Sequence, residues 1–380
     1  MPRPKYSPDE LKPTGETYPL SGFSFLMNPN AVGEPVLNKP ISPRENWQLM
    51  YAGKKPYWIP MAGFFGSDSV QLRPRIHPDN IANHQVFDGG PAYDYSSHGS
   101  IIAGLNDLEW NWIDDINGAT MMPTQPKVPD INKWEEYISF PDLDEWDWET
   151  LREQNATYLG TNKLNTLGIQ CGLWERLMAM MDVVEACIAM YDDDLKPGVH
   201  RFFDVYSDWI IDYIGRVKDV CDINSVVLHE DWAHQLGPFF SPDVAREMLL
   251  PYIQKIVNYV HSRGMAYEIH CCGACELLIP VFIETGADMW GGQTDLNDMG
   301  GYAKQYKGSH LIFGVPSPDL PPEASEAEAK EAARAWVDEY KDCRVSVGGM
   351  RPMAAGLAQP NPFMNNAIYE CSRLAFENED

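Results

Sequence analysis

One rhythm constrains this chain more than any other feature. From about residue 164, short apolar runs alternate with helical patterns almost to the C-terminus. The runs are Leu164 to Gln170, Ser225 to His229, Ala266 to His270, Ala287 to Trp290, His310 to Gly314 and Cys343 to Gly349. Between them lie a helix containing Trp174 to Met178, a helix from about Gly198 to Val220, and helical patterns over 241–263, 275–285 and 324–341. The helix from Gly198 places Phe202, Val205, Trp209, Ile210, Tyr213, Ile214 and Val217 at helical spacing. Strand, helix, strand at this period means parallel pairing with right-handed crossovers. That many repeats in 380 residues predicts an α/β fold, a (β/α)8 TIM barrel. An open doubly wound sheet is the competing arrangement, and no GxGxxG or Walker-type loop supports it.

The first part of the chain is less regular. Residues 1–40 are rich in Pro, Gly and Asn and have no period, so an irregular N-terminal arm is expected there, ahead of a barrel over 41–380. Helical patterning begins at Ser42, a plausible N-cap, with Pro43 at the first helical position. Lys55 to Met61 reads as a short apolar strand. The aromatic and acidic region 87–150 reads as loops and small strands.

Charge narrows the function. The chain has 29 Lys plus Arg against 55 Asp plus Glu, a net charge of −26. Phosphate binding needs a basic face, so nucleic acid is excluded as a partner, and anionic membranes with it. No apolar run approaches the roughly 18–20 residues of a membrane span. Met1 to Lys5 leads into a polar, Pro-rich stretch without an apolar core, so no secretion signal is seen and a cytoplasmic location is expected. The eight cysteines do not make a disulfide scaffold in a chain this long. Cys271, Cys272 and Cys275 crowd together, which points to metal or catalysis.

In a barrel, functional residues gather at the C-terminal ends of the strands. His229-Glu230-Asp231-Trp232 follows one strand, His270-Cys271-Cys272-Gly273 the next, and Trp290-Gly291-Gly292-Gln293 the one after. His270 and Cys272 are two apart, so an extended chain points both to one side. An imidazole and a thiolate are zinc ligands, and catalytic zinc takes three protein ligands and an open position. Glu230, which closes the preceding strand, is the candidate for the third. One thiolate and one carboxylate would neutralise the ion. Cys275 is expected to point away at the start of a helix, and Cys271 to the opposite side. Asp231, adjacent to Glu230, is left for a loop or the substrate. His-x-Cys also occurs where a buried thiol merely packs; the strand-end position favours metal here. His229, His234 and His261 are assigned nothing. Trp110 and Trp112 read as packing, or as the wall of an apolar pocket.

These residues resemble the uroporphyrinogen decarboxylase-like superfamily. The resemblance lies in Glu230 to Ala233, Gly237 to Pro242, Leu250-Pro251-Tyr252, Ile269 to Gly273, Ile279-Pro280 and Glu284 to Asp288. Ser42 to Trp47, Ile59-Pro60, Asp107 to Pro123 and Phe140-Pro141-Asp142 extend it over roughly residues 40–375. It implies a (β/α)8 barrel. The decarboxylases of this superfamily carry an early arginine-rich loop of the form RQAGRY, where this chain reads Met61 to Ser67 without arginine. The corrinoid-dependent methyltransferases carry zinc on a His-x-Cys pair and a further ligand, and His270 and Cys272 match that pair. Thiol-methylating members add a Cys after the last strand, where this chain has Gly348-Gly349-Met350.

The resemblance therefore implies the O-demethylase type. Methyl would pass from a methoxylated aromatic small-molecule donor to the cobalt(I) corrinoid (cobalamin) of a separate corrinoid protein. Glu230, His270 and Cys272 would bind zinc, and Asp231 would orient or protonate the substrate oxygen. Trp290, Gln293 and Met350 would line the pocket. The alternatives are methyl transfer from a methylcorrinoid to a thiol, a uroporphyrinogen-type decarboxylase, and a silent barrel that only binds the corrinoid partner.

Overall fold

A computed structural model describes residues 3–19, 33–62, 68–72, 76–78, 85–87, 102–103, 105–113, 118–121, 126–348 and 361–379. The elements used below, in chain order, are α1 (Pro43–Tyr51), β1 (Ser69–Gln71), β2 (Leu164–Ile169), α2 (Leu173–Met181), α3 (Lys196–Cys221), β3 (Ser225–His229), α4 (Leu250–Ser262), β4 (Ala266–Cys271), α5 (Ile279–Thr285), β5 (Met289–Gly292), α6 (Met299–Gln305), β6 (Ile312–Val315), α7 (Glu326–Tyr340), β7 (Val345–Val347) and α8 (Met364–Phe376). The chain divides into two compact units, one of residues 72–159 and 166–287, the other of residues 1–71, 160–165 and 288–380. Both carry the strand–helix rhythm of a (β/α)8 barrel.

In the first of these units, β3 pairs in parallel with β2 on one side and β4 on the other. The register sets Ser225 opposite both Thr166 and Ala266, Val227 opposite Gly168 and Glu268, and His229 opposite His270. Alternation divides β4 into two faces. Tyr267, Ile269 and Cys271 are fully buried on one, and Glu268 and His270 lie on the other. The helical pattern at 241–263 is two helices, Pro242–Met248 and α4, because Pro251 stands in the first turn of α4. A proline there has no N–H for the preceding helix to use. Pro280 does the same at 275–285, where a 3-10 turn, Glu276–Leu278, precedes α5.

In the other unit, β5, β6 and β7 pair in parallel, with Met289 opposite Ile312 and Phe313 opposite Val345. β5 starts two residues later than the apolar run suggests. Gly286 (φ 83°) closes α5 in the left-handed conformation, and Ala287-Asp288 complete the connection. Lys55 to Met61 is not a strand. Pro56 and Pro60 lack N–H groups, and only Met61 forms a parallel bridge, to Val347. Trp47, Met50, Leu164, Met289 and Ile312 form a core cluster of this unit.

Residues 1–40 carry local structure: a 3-10 turn at Pro8–Leu11, and Pro13–Thr17 paired antiparallel with Pro35–Leu37. Glu10, 6% exposed, is held there by Arg373 of α8, itself fully buried, through bonds of 2.8 and 2.9 Å. Tyr369 donates to the same carboxylate at 2.7 Å. The region 87–150 contributes Ile102–Ala103, Glu109–Ile113 and Gly118–Met121 as a small antiparallel sheet.

Candidate metal centre

The site is built at the ends of β3 and β4. After His229 the backbone reaches Asp231 with φ 43°. Aspartate tolerates this left-handed conformation better than most residues. The bend aims the Asp231 carboxylate at the end of β4, where its Oδ1 accepts the Cys272 N–H at 2.7 Å. His270 Nε2 lies 3.2 Å from Cys272 Sγ and 3.8 Å from Asp231 Oδ1. Ligand atoms of Asp231, His270 and Cys272 thus all lie within 4.8 Å of one another.

The structure reverses the roles read for the two adjacent acids. Glu230 is fully buried and turned to the start of α2. Its carboxylate accepts from Leu173 N at 2.9 Å, Trp174 N at 3.2 Å and Trp232 Nε1 at 2.8 Å. The first two are unsatisfied donors of a helix N-terminus, where an anion is favoured. The N-cap, Gly172, has no side chain to offer, and a Cβ there would stand 2.3 Å from Glu230 Oε1. Glu230 therefore acts as the cap of α2 from another strand, and Asp231 takes the third place in the cluster. Burial pushes the Glu230 carboxyl up to about 7, against the pull of the three donors.

The other thiols take separate places. Cys271 accepts the Trp232 N–H on its Sγ at 2.9 Å, and Cys275 donates to the Cys272 carbonyl at 3.3 Å. Neither belongs to the cluster. Gly273 follows Cys272 at φ 83°, packed against the Ala233 backbone. Ala233–His234 pairs with Gly237–Pro238 in a short hairpin, and Ala274 N donates to the His234 carbonyl at 2.9 Å. That hairpin holds the end of β4 beside Asp231. His229, to which the sequence assigned nothing, lies ring to ring with His270, 4.2 Å between centroids.

The donor set can be tested for fit. A thiol, an imidazole and a carboxylate are the ligand types zinc takes, in the number that leaves an open position. Burial, and then the Asp231 carboxylate, push the Cys272 thiol far up. Two acidic groups this close are compatible with a bound cation.

A family model described as uroporphyrinogen decarboxylase (URO-D) matches residues 156–345, half of the chain. The chain belongs to the URO-D family. Among solved structures, a methyltransferase from Methanosarcina mazei is similar over 88% of this chain and 99% of that one, at 14% identity and a TM-score of 0.56. That likeness shows the shared (β/α)8 barrel fold. A B12-independent methionine synthase from Shewanella sp. W3-18-1 is similar over 60% of this chain and 65% of that one, at 9% identity and a TM-score of 0.36. No curated protein sequence matches the chain.

Within this URO-D family member, the cluster and the residues around it all belong to the unit of residues 72–159 and 166–287. Trp290, fully buried at β5, and Gln293, just beyond it, belong to the other unit. Met350 lies outside the described residues, as do Gly63 to Ser67 of the arginine-free loop. Among the described residues, no helix is long and apolar enough to cross a membrane.

Proposed function

We propose that this URO-D family member is a zinc-dependent methyltransferase of the O-demethylase type. It moves methyl from a methoxylated aromatic donor to the cobalt(I) corrinoid of a separate corrinoid protein, in the cytoplasm. The observation that carries this reading is the convergence of Asp231, His270 and Cys272 within 4.8 Å. Those three residues would hold the metal, and Asp231 replaces Glu230 in the ligand set. When bound, zinc supplies Lewis acidity to the oxygen that leaves the methyl group.

The chain's own residues prepare the site. Asp231 is fixed by the Cys272 N–H, so one oxygen is positioned before any ligand arrives. The His229 ring restricts the orientation of the His270 imidazole. Glu230 ties the end of β3 to α2, which keeps the Asp231 bend in place. Trp290, Gln293 and Met350 remain proposed substrate-binding residues. Leu236, 91% exposed at the tip of the hairpin that follows Asp231, is the proposed contact for the corrinoid protein.

The test is an anaerobic reaction of the zinc-loaded chain with cob(I)alamin and 2-methoxyphenol. Loss of the cobalt(I) spectrum with equal amounts of methylcobalamin and catechol formed is the expected result. An unchanged spectrum across a panel of methoxyarenes, with zinc present, would overturn the reading.

A further inference from the structure

The chain leaves β2 through a backbone outlier. Among the described residues, five that are not glycine have a left-handed φ. Four are Asn or Asp, which tolerate it, and the fifth is Cys171, at φ 74°. A cysteine holds that conformation only where its surroundings impose it, and such residues cluster at functional sites. Cys171 is fully buried, and its backbone is held on both sides. Its N–H donates to Glu175 Oε2 at 3.0 Å, and its carbonyl accepts the Tyr206 hydroxyl at 2.6 Å. Arg176, also fully buried, brings Nε and Nη2 to 3.4 Å from the same hydroxyl oxygen. The guanidinium faces the lone pairs of Tyr206, which leaves the hydroxyl proton for the Cys171 carbonyl.

The turn leads directly to the metal ligands. The next residue, Gly172, donates its N–H to the His229 carbonyl at 2.6 Å, and Glu230 N donates to the His270 carbonyl at 3.0 Å. Asp231 Oδ1 in turn accepts the Cys272 N–H. Cys171, Asp231 and Gly273 each stand two residues beyond the end of β2, β3 and β4, and all three are left-handed. The three strand exits thus form one hydrogen-bonded set of turns, and Cys171 is the member whose residue type does not favour its turn. We propose that Tyr206 of α3 is a positioning residue for the metal centre. Its hydroxyl imposes the turn at Cys171. That turn fixes, through Gly172 and His229, where Asp231 stands relative to His270 and Cys272. The inference rests on the metal-centre reading of the same site.

Zinc titrated into the metal-free full chain, in competition with a chromophoric chelator, tests this. Tyr206→Phe, which removes one oxygen, is expected to weaken zinc binding about tenfold, the effect of losing an outer hydrogen bond at a metal site. Glycine takes up a left-handed turn unaided, so adding Cys171→Gly to that variant is expected to restore most of the loss. Tyr213→Phe, at a buried tyrosine of the same helix, controls for lost packing and should bind zinc as wild type does. If Tyr206→Phe fails to fold, Glu175→Ala frees the other side of the turn and serves alone, with the same loss and the same rescue expected. The proposal is overturned if the variant keeps wild-type affinity, if Cys171→Gly restores nothing, or if Tyr213→Phe loses as much. Any of these results with zinc bound by wild type leaves the metal centre standing. A wild type that binds no zinc overturns both.

Discussion

Gly273→Ala separates backbone strain from steric conflict at the centre of the site. Gly273 has φ 83°, and an alanine Cβ would stand 2.4 Å from the Ala233 carbonyl carbon and 2.6 Å from His234 N. These are backbone atoms of the hairpin, so no flexible side chain can yield. Gly264, at the end of α4, has φ 71° and nothing within 4 Å of the same position. Gly264→Ala therefore carries the left-handed cost alone, about 1–2 kcal/mol. Gly273→Ala carries that cost and an overpacking cost of a further ~1–3 kcal/mol. It also pushes the hairpin away from Cys272, which widens the gap between Asp231 and the two β4 ligands. Urea denaturation of both variants, at matched slope, gives the two stabilities, and elemental analysis gives their zinc content. The expected result is a Gly273 variant less stable than the Gly264 variant by ~1–3 kcal/mol and depleted of zinc. Equal stabilities with full zinc in both would refute the role given to the Gly273 contact.

Other predictions concern the buried ion pair and the hairpin tip. Arg373→Leu leaves the Glu10 carboxylate buried without its charge partner, and a loss of about 3–5 kcal/mol is expected in the same assay. Arg373 and Tyr369 hold the Glu10 carboxyl below its ordinary range, against the opposing effect of burial. Its contribution is then present above the ordinary carboxylate pKa and fades as pH falls through the lower, folded value. Acid titration should show wild type losing its advantage over the variant in that direction. Leu236→Asp, at a side chain 91% exposed, should leave stability within ~0.5 kcal/mol. It should raise KM for the corrinoid protein and leave the rate with free cob(I)alamin unchanged. Equal loss with both acceptors would remove the docking role.

Much of the fold was legible because parallel strands and their helices leave a strong period. β3 occupies the residues read for it, and β4 runs one residue further, to Cys271. The misreadings have local causes. Pro56 and Pro60 spoil an apolar run as a strand, and Pro251 and Pro280 each divide one helical pattern into two elements. The approach of His270 and Cys272 to one another was legible from their spacing and their place at a strand end. The choice between Glu230 and Asp231 was not, because two adjacent acids alternate and only the register decides between them. His229 stands opposite His270, so the inward direction passes to Asp231, and Glu230 goes to the α2 N-terminus. The signal for Glu230 was present as Gly172, an N-cap without a capping side chain, but its partner is 58 residues further along the sequence.

Zinc content measured side by side on wild type, Asp231→Ala, Glu230→Gln and the double variant His270→Ala with Cys272→Ala tests the central claim most directly. The account predicts about one zinc per chain in wild type and in Glu230→Gln, and loss of zinc in the other two. Zinc lost from Glu230→Gln and kept by Asp231→Ala would contradict the ligand set. A metal-free wild type prepared without chelator would contradict the metal centre itself.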